Sequence, residues 1–156
     1  MAKNKDKGKN INIKNPNSYR NYDITETFEA GIALKGSEVK SIRLGNCNIK
    51  DSFAIIKNGE IFLHNMYIKP YEYASGFNPD PTRKRKLLMH KLEIMRLEDK
   101  IKKNDLNLIP VKIYFKHNLV KVQLGIGKGK KLYDKRYDLA KRDAKRKVER
   151  MKNRYL

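Results

Sequence analysis

The sequence predicts a mainly β domain with flanking helices (α+β): strands closing into a small antiparallel barrel of the OB type, followed by a conditionally helical basic C-terminal tail. Three observations lead there. Runs of β-branched and aromatic residues recur with period-two alternation. Helical periodicity is confined to two stretches and the tail. The segment from Lys128 to Leu156 holds thirteen Lys or Arg against four Asp or Glu. Five or six antiparallel strands hide their edges by closing on themselves, and so charged a tail can add little to their core.

Taken in order, residues 1–18 are dominated by Asn, Lys and Gly, a composition that cannot offset its own ordering entropy, and they read as a flexible basic arm. From Tyr22 the text YDITETFEAGIAL becomes strand-like, with Ile24, Glu26 and Phe28 on one side, Thr25, Thr27 and Glu29 on the other, and a bulge expected at Gly31. Gly36 breaks this run. Ser37 then stands as an N-cap before EVKSIRLG, a short helix ended near Gly45. In SFAIIKNGEIFLHNMYI two β-rich runs meet at Asn58-Gly59, the strongest short-range sign of a hairpin. A loop, SGFNPDPT, follows.

His90, Ile94, Leu97 and Ile101 recur at helical spacing in HKLEIMRLEDKIKK, which predicts the long helix, ended by Asn104 and Asp105. NLIPVKIYFKHNLVKVQLGIG supplies a second hairpin, with Val111, Ile113 and Phe115 facing Val120, Val122 and Leu124. Residues 19–130 are thus assigned to the barrel and 131–156 to the tail. In the tail Tyr137, Ala140, Ala144, Val148, Met151 and Tyr155 fall on one narrow helical stripe. Burying Val148 and Met151 would contribute about 1.5–3 kcal/mol each. Ordering some twenty residues costs roughly 1–2 kcal/mol apiece, so the helix is expected to need a partner.

The formal net charge of +20 points to a polyanion. Nucleic acid fits better than a membrane, since the chain has no Trp and no apolar run of the roughly 18 residues that span a bilayer. The N-terminal residues lack the apolar stretch of a secretory signal, and the single cysteine, Cys47, suits a reducing cytoplasm and reads as a small core residue. Enzyme chemistry finds no foothold. His64, His90 and His117 lack metal-ligand spacing, and GIGKGKK fails both the Walker and the dinucleotide patterns at Lys130. No cofactor or metal is expected.

What remains is RNA. The run from Arg83 to Lys86 is either a solvated face or an RNA contact, and His90 either a residue beside the helix cap or another contact. Tyr19, Tyr22, Tyr67, Tyr71 and Tyr73 offer rings for stacking on unpaired bases. Gly127 and Gly129 free the backbone leaving the last strand, with Lys128, Lys130 and Lys131 alongside to meet phosphate.

Four stretches together resemble the SmpB, or SsrA-binding, family of tmRNA-binding proteins: FEAGIALKGSEVKSIR, CNIKDSFAII, DPTRKRKLLMHKLEI and GKGKKLYDKR. The resemblance runs over nearly the whole chain. It implies a six-stranded OB-like barrel and a non-enzymatic role in trans-translation. It further implies binding to the tRNA-like domain of tmRNA, delivery with EF-Tu to stalled ribosomes, and a tail that becomes helical in the vacant mRNA channel beside the 16S rRNA decoding centre. On the tmRNA side it implies Glu29, Leu88 and His90, to which Tyr22, Arg83, Arg85 and Lys86 are added as the nearby aromatic and basic groups. On the ribosomal side it implies Asp134, Lys135 and Arg136, with Tyr133 where some members carry His. Lys128, Lys130 and Lys131 precede this motif, and Met151 and Lys152 follow Arg150 in the tail's ending. The chain is expected to act as a monomer. A ribosomal protein or general RNA chaperone would share the charge and the barrel, but has no reason to combine R-K-L-L with K-G-K-K-x-x-D-K-R.

Overall fold

The computed structural model describes residues 11–74, 76, 78–130 and 140–147. Its strands are β1 (Asn12–Lys14), β2 (Tyr22–Ile32), β3 (Cys47–Asn48), β4 (Phe53–Lys57), β5 (Glu60–His64), β6 (Tyr67–Ile68), β7 (Arg85–Leu88), β8 (Asn107–Lys116) and β9 (Leu119–Gly129). Helix α1 spans Ser18–Asn21, α2 Gly36–Arg43 and α3 Lys91–Asn104. Residues 140–147 form α4.

Six strands close a ring in the order β8-β4-β5-β7-β2-β9 and back to β8, every pairing antiparallel. Alternation does the closing. Ile61, Leu63, Leu87, Ile113, Val122, Leu124 and Ile126 turn inward, while α2 adds Ile42 and α3 adds Ile94 and Leu97 to the same core. The ring is most extensively paired along both sides of β9, with β2 and with β8, and thinnest at its seam, where β4 meets β8 through the single pair Ala54 and Leu108. β3 and β6 make a separate two-stranded pairing.

Turn chemistry explains the hairpins. Asn58 and Gly59 have φ of 54° and 75°, the double positive φ that a two-residue hairpin needs, and His117 and Asn118, at 51° and 64°, do the same for β8 and β9. Gly45, at φ 78°, ends α2: its N–H bonds the Ile42 carbonyl and that of Asn46 bonds Ser41.

Several local expectations give way. The bulge in β2 falls at Thr25, between Ile24 and Glu26, rather than at Gly31, so Ile24 leaves the inner side and sits against Gly125 on the outside. A second bulge, at Val111, turns that residue outward beside Gly125, so Pro110 pairs with Leu124 instead. The cap of α2 is Lys35, not Ser37, because Glu38 reaches back to accept the Lys35 N–H at 2.9 Å. Residues 11–18, expected within a flexible arm, are tied down: β1 pairs with β8, and buried Asn15 donates from Nδ2 to the Pro110 carbonyl at 2.9 Å. Residues 140–147 lie on a helix that is exposed throughout, in keeping with the helical stripe expected of the tail, its Ala, Lys and Arg being strong helix formers. Residues 1–10, 131–139 and 148–156 lie outside the described residues.

Candidate nucleic-acid interface

Alternation that fills the barrel also sorts its outside. Across β1, β8, β9, β2 and β7 one outward row reads Asn12, Tyr114, Lys121, Gly31, Leu88. The next reads Lys14, Lys112, Gln123, Glu29. Lys116 extends the face along β8. Four lysines therefore surround one carboxylate on a flank presented to solvent.

Glu29 is held within that field. Tyr114 donates its hydroxyl to Glu29 Oε2 at 2.5 Å, and Lys116 Nζ lies 3.5 Å from both carboxylate oxygens. The Tyr114 bond, helped by Lys116, keeps the Glu29 carboxyl below its ordinary value, while burial and the bond to Glu29 push the Tyr114 phenol up to about 12. Leu88, half exposed, is paired with Gly31, where a Cβ would approach Leu88 Cβ to 3.3 Å, so a glycine lets the leucine lie close to the sheet. His90, exposed, is the N-cap of α3.

The basic run separates by strand parity. Arg85 is wholly buried and cannot meet RNA, which corrects its assignment as a contact. RKLL is a strand, and alternation places Arg85 on the inner side with Leu87. There it donates from Nε to Glu38 Oε2 at 2.8 Å and to the carbonyls of Met66, Pro81 and Arg83 at 2.6, 3.0 and 3.2 Å. Arg83, partly exposed, also grips Glu38. Burial works to raise the Glu38 carboxyl, but bonds from Arg83, the Lys35 N–H and Arg85 outweigh it and hold it below its ordinary value. Lys86 points outward and reaches Glu60 at 3.2 Å.

Tyr22 begins β2 at the far end, its partner being Gly129, and lines a cleft of about 370 Å³ with Tyr19, Lys130 and the α4 residues Lys141, Arg142 and Lys145. Lys128 is exposed opposite Asp23, and the Lys130 N–H bonds the Asn21 carbonyl at 2.8 Å. Lys131, Tyr133, Asp134, Lys135, Arg136, Met151 and Lys152 lie outside the described residues. Sequence reasoning missed Lys14, Lys112, Tyr114, Lys116, Lys121 and Gln123. Those on β8 and β9 are the polar members of the alternation that identified the second hairpin.

Burial pushes the Cys47 thiol up to about 12, so it is protonated at neutral pH. Among the described residues no group of three or more His, Cys, Asp or Glu is placed to hold a metal ion, and no helix is long and apolar enough to cross a membrane.

The family model described as SmpB protein matches residues 12–154. The chain belongs to the SmpB family. An SsrA-binding protein of Carboxydothermus hydrogenoformans is 58% identical over 140 residues, covering 90% of this chain and 94% of the relative. One of Caldicellulosiruptor bescii is 53% identical over 154 residues, covering 99% and 98%. A solved structure described as "tmRNA-SmpB: a journey to the center of the bacterial ribosome" superimposes with a TM-score of 0.65 at 50% identity, covering 78% of this chain and 85% of that one. Family membership and the six-strand ring agree with the barrel that the sequence predicts.

Proposed function

We propose that this chain is a non-enzymatic RNA-binding factor of trans-translation: it binds the tRNA-like domain of tmRNA through the outer face of β1, β8, β9, β2 and β7, and engages stalled ribosomes through its tail. The observation that carries this reading is the lysine-framed flank holding Glu29 and Leu88, two positions that the family resemblance implies in tmRNA binding. Lysines on a sheet face meet phosphates, and the apolar and aromatic groups among them meet unpaired bases. His90, at the entry to α3, and Lys86, beside Leu88 on β7, lie next to that flank. Tyr22 and Arg83 stand farther off, Arg83 largely occupied by Glu38.

The tail is the ribosomal half. Lys128, Lys130 and Lys131 lead into Tyr133, Asp134, Lys135 and Arg136 at the decoding centre, and the remainder, with Met151 and Lys152, lies helically along the vacant mRNA channel over 16S rRNA. The helix at 140–147 supports this, since a segment already helical costs less to order on binding. Delivery with EF-Tu, action as a monomer and a cytoplasmic location complete the reading.

Removing residues 133–156 tests the division of labour. tmRNA affinity is expected to stay within a few-fold, while tagging of nascent chains on messages without a stop codon is lost. Loss of most RNA affinity in the truncated protein would refute it. RNA recovered with the full chain from cells should be enriched in tmRNA over ribosomal RNA. The reverse enrichment would favour a ribosomal protein or RNA chaperone.

A further inference from the structure

Tyr114 and Glu29 are joined over a distance that constrains both. They stand on β8 and β2, with β9 between them and an offset of two residues along the strands. Strands two apart are separated by about 9.5 Å, and two residues add about 6.6 Å. A phenol standing upright from β8 could not reach across. With its hydroxyl 2.5 Å from Glu29 Oε2, the ring has to lean over β9, at the level of Lys121 and Gln123. One face is then turned toward the sheet and the other toward solvent, in keeping with its partial burial.

The surroundings make that outer face a place to stack. Lys112 Nζ lies over the Tyr114 ring, 5.2 Å from its centroid, so a base laid on that ring takes the ammonium's place and leaves it alongside to meet the phosphate. Lys116, 3.5 Å from both Glu29 oxygens, fixes the acceptor in turn. Glu29 therefore has both oxygens engaged by protein groups.

We propose that Tyr114 is a base-stacking platform of this face and that Glu29 is its positioning residue, holding the phenol down over β9 rather than contacting RNA itself. This rests on the RNA-binding reading above. It also accounts for an acid in a basic field: the carboxylate aims an aromatic ring, and a ring held in place loses little freedom when a base stacks on it.

Binding of the full chain to the transcribed tRNA-like domain of tmRNA, at fixed salt, tests this with Tyr114→Leu, Tyr114→Phe, Glu29→Ala and Glu29→Gln. Tyr114→Leu should weaken binding roughly five- to a hundredfold. Tyr114→Phe and Glu29→Ala, which free the ring without removing it, should lose less and equally. Glu29→Ala combined with Tyr114→Leu should bind no worse than Tyr114→Leu alone. Glu29→Gln, whose amide oxygen can still accept the phenol, should recover most of the affinity. Ultraviolet titration should find the Tyr114 phenol ionising at lower pH in Glu29→Ala than in the wild type. Losses that multiply in the double variant, or Glu29→Gln falling as far as Glu29→Ala, would make Glu29 an independent RNA contact. Wild-type binding with Tyr114→Leu unaffected would overturn the platform alone. Failure of the wild type to prefer this RNA over a control hairpin would overturn the RNA-binding reading as well.

Discussion

Two glutamates, Glu29 and Glu38, each sit among basic side chains, and they do opposite things. Glu38 is buried, and its oxygens accept from Arg83, Arg85 and the Lys35 N–H, which ties α2 to β7 through the inside of the molecule. Glu29 is exposed on β2 and accepts from Tyr114 and Lys116 along the outer sheet. The motif is the same in both places. The difference is solvent: a buried charge left without its partner is costly, whereas an exposed one is screened and loses a partner at little cost.

The largest expected effect breaks the buried member. Arg85→Ala leaves Glu38 buried with its one wholly buried cationic partner gone, and loss of one partner of a buried pair costs about 3–5 kcal/mol. Urea unfolding should show a drop of that size. A loss below about 1 kcal/mol would mean that water reaches Glu38 and that its burial is not what distinguishes it from Glu29. Acid acts on the same site. Because the folded Glu38 carboxyl is held below its unfolded value, its contribution is fully present above the unfolded pKa of about 4.3 and is lost as pH falls through the lower, folded value. Wild-type stability should therefore decline below about pH 4, and Glu38→Gln, weaker at neutral pH, should decline less steeply there.

A smaller effect sharpens the contrast from within the buried site. Arg83 bonds Glu38 too, but its side chain keeps 27% of its exposure, while that of Arg85 has none. Arg83→Ala removes two bonds to the carboxylate but leaves Arg85 in place and admits water on the exposed side, so the expected cost is about 1–2 kcal/mol, below that of Arg85→Ala. Equal losses for Arg83→Ala and Arg85→Ala in the same unfolding series would show that the pair count, not burial, sets the energy.

How far the sequence carries depends on the range of the cause. Asn58-Gly59 announces its hairpin because the φ requirement lies in those two residues, while His117-Asn118 adopts the same geometry without the glycine that would have flagged it. The bulges at Thr25 and Val111 depend on cross-strand register, so alternation read along one strand misplaced Ile24 and Val111. Arg85 was opaque for a similar reason. Its acceptor Glu38 lies 47 residues earlier, and within RKRK nothing local separates an arginine that turns inward from a lysine that turns out. The outer face was half legible: the apolar members of β8 and β9 defined the core, and their polar alternates, Lys112, Tyr114, Lys116, Lys121 and Gln123, formed the flank by default. Glu29 and Leu88 came from family resemblance, and the structure adds what surrounds them.

The smallest effect on stability belongs to the exposed side, and it isolates charge from fold. Lys121 stands in the row between Tyr114 and Gly31, on the face assigned to RNA. Lys121→Gln keeps a long polar side chain and the strand, so unfolding should move by no more than about 0.5 kcal/mol. If the ammonium neutralises a phosphate, binding to the tRNA-like domain should weaken, and the slope of log affinity against log salt should become shallower by about 0.7–0.9, the share of one released counterion. Lys57, at the end of β4 and outside the five strands of that face, provides the control: Lys57→Gln removes the same charge away from it and should leave the slope unchanged. If both substitutions flatten the slope alike, the RNA responds to net charge and no flank is privileged. If only Lys121→Gln does, the exposed glutamate's neighbours act on the ligand while the buried glutamate's neighbours act on the fold.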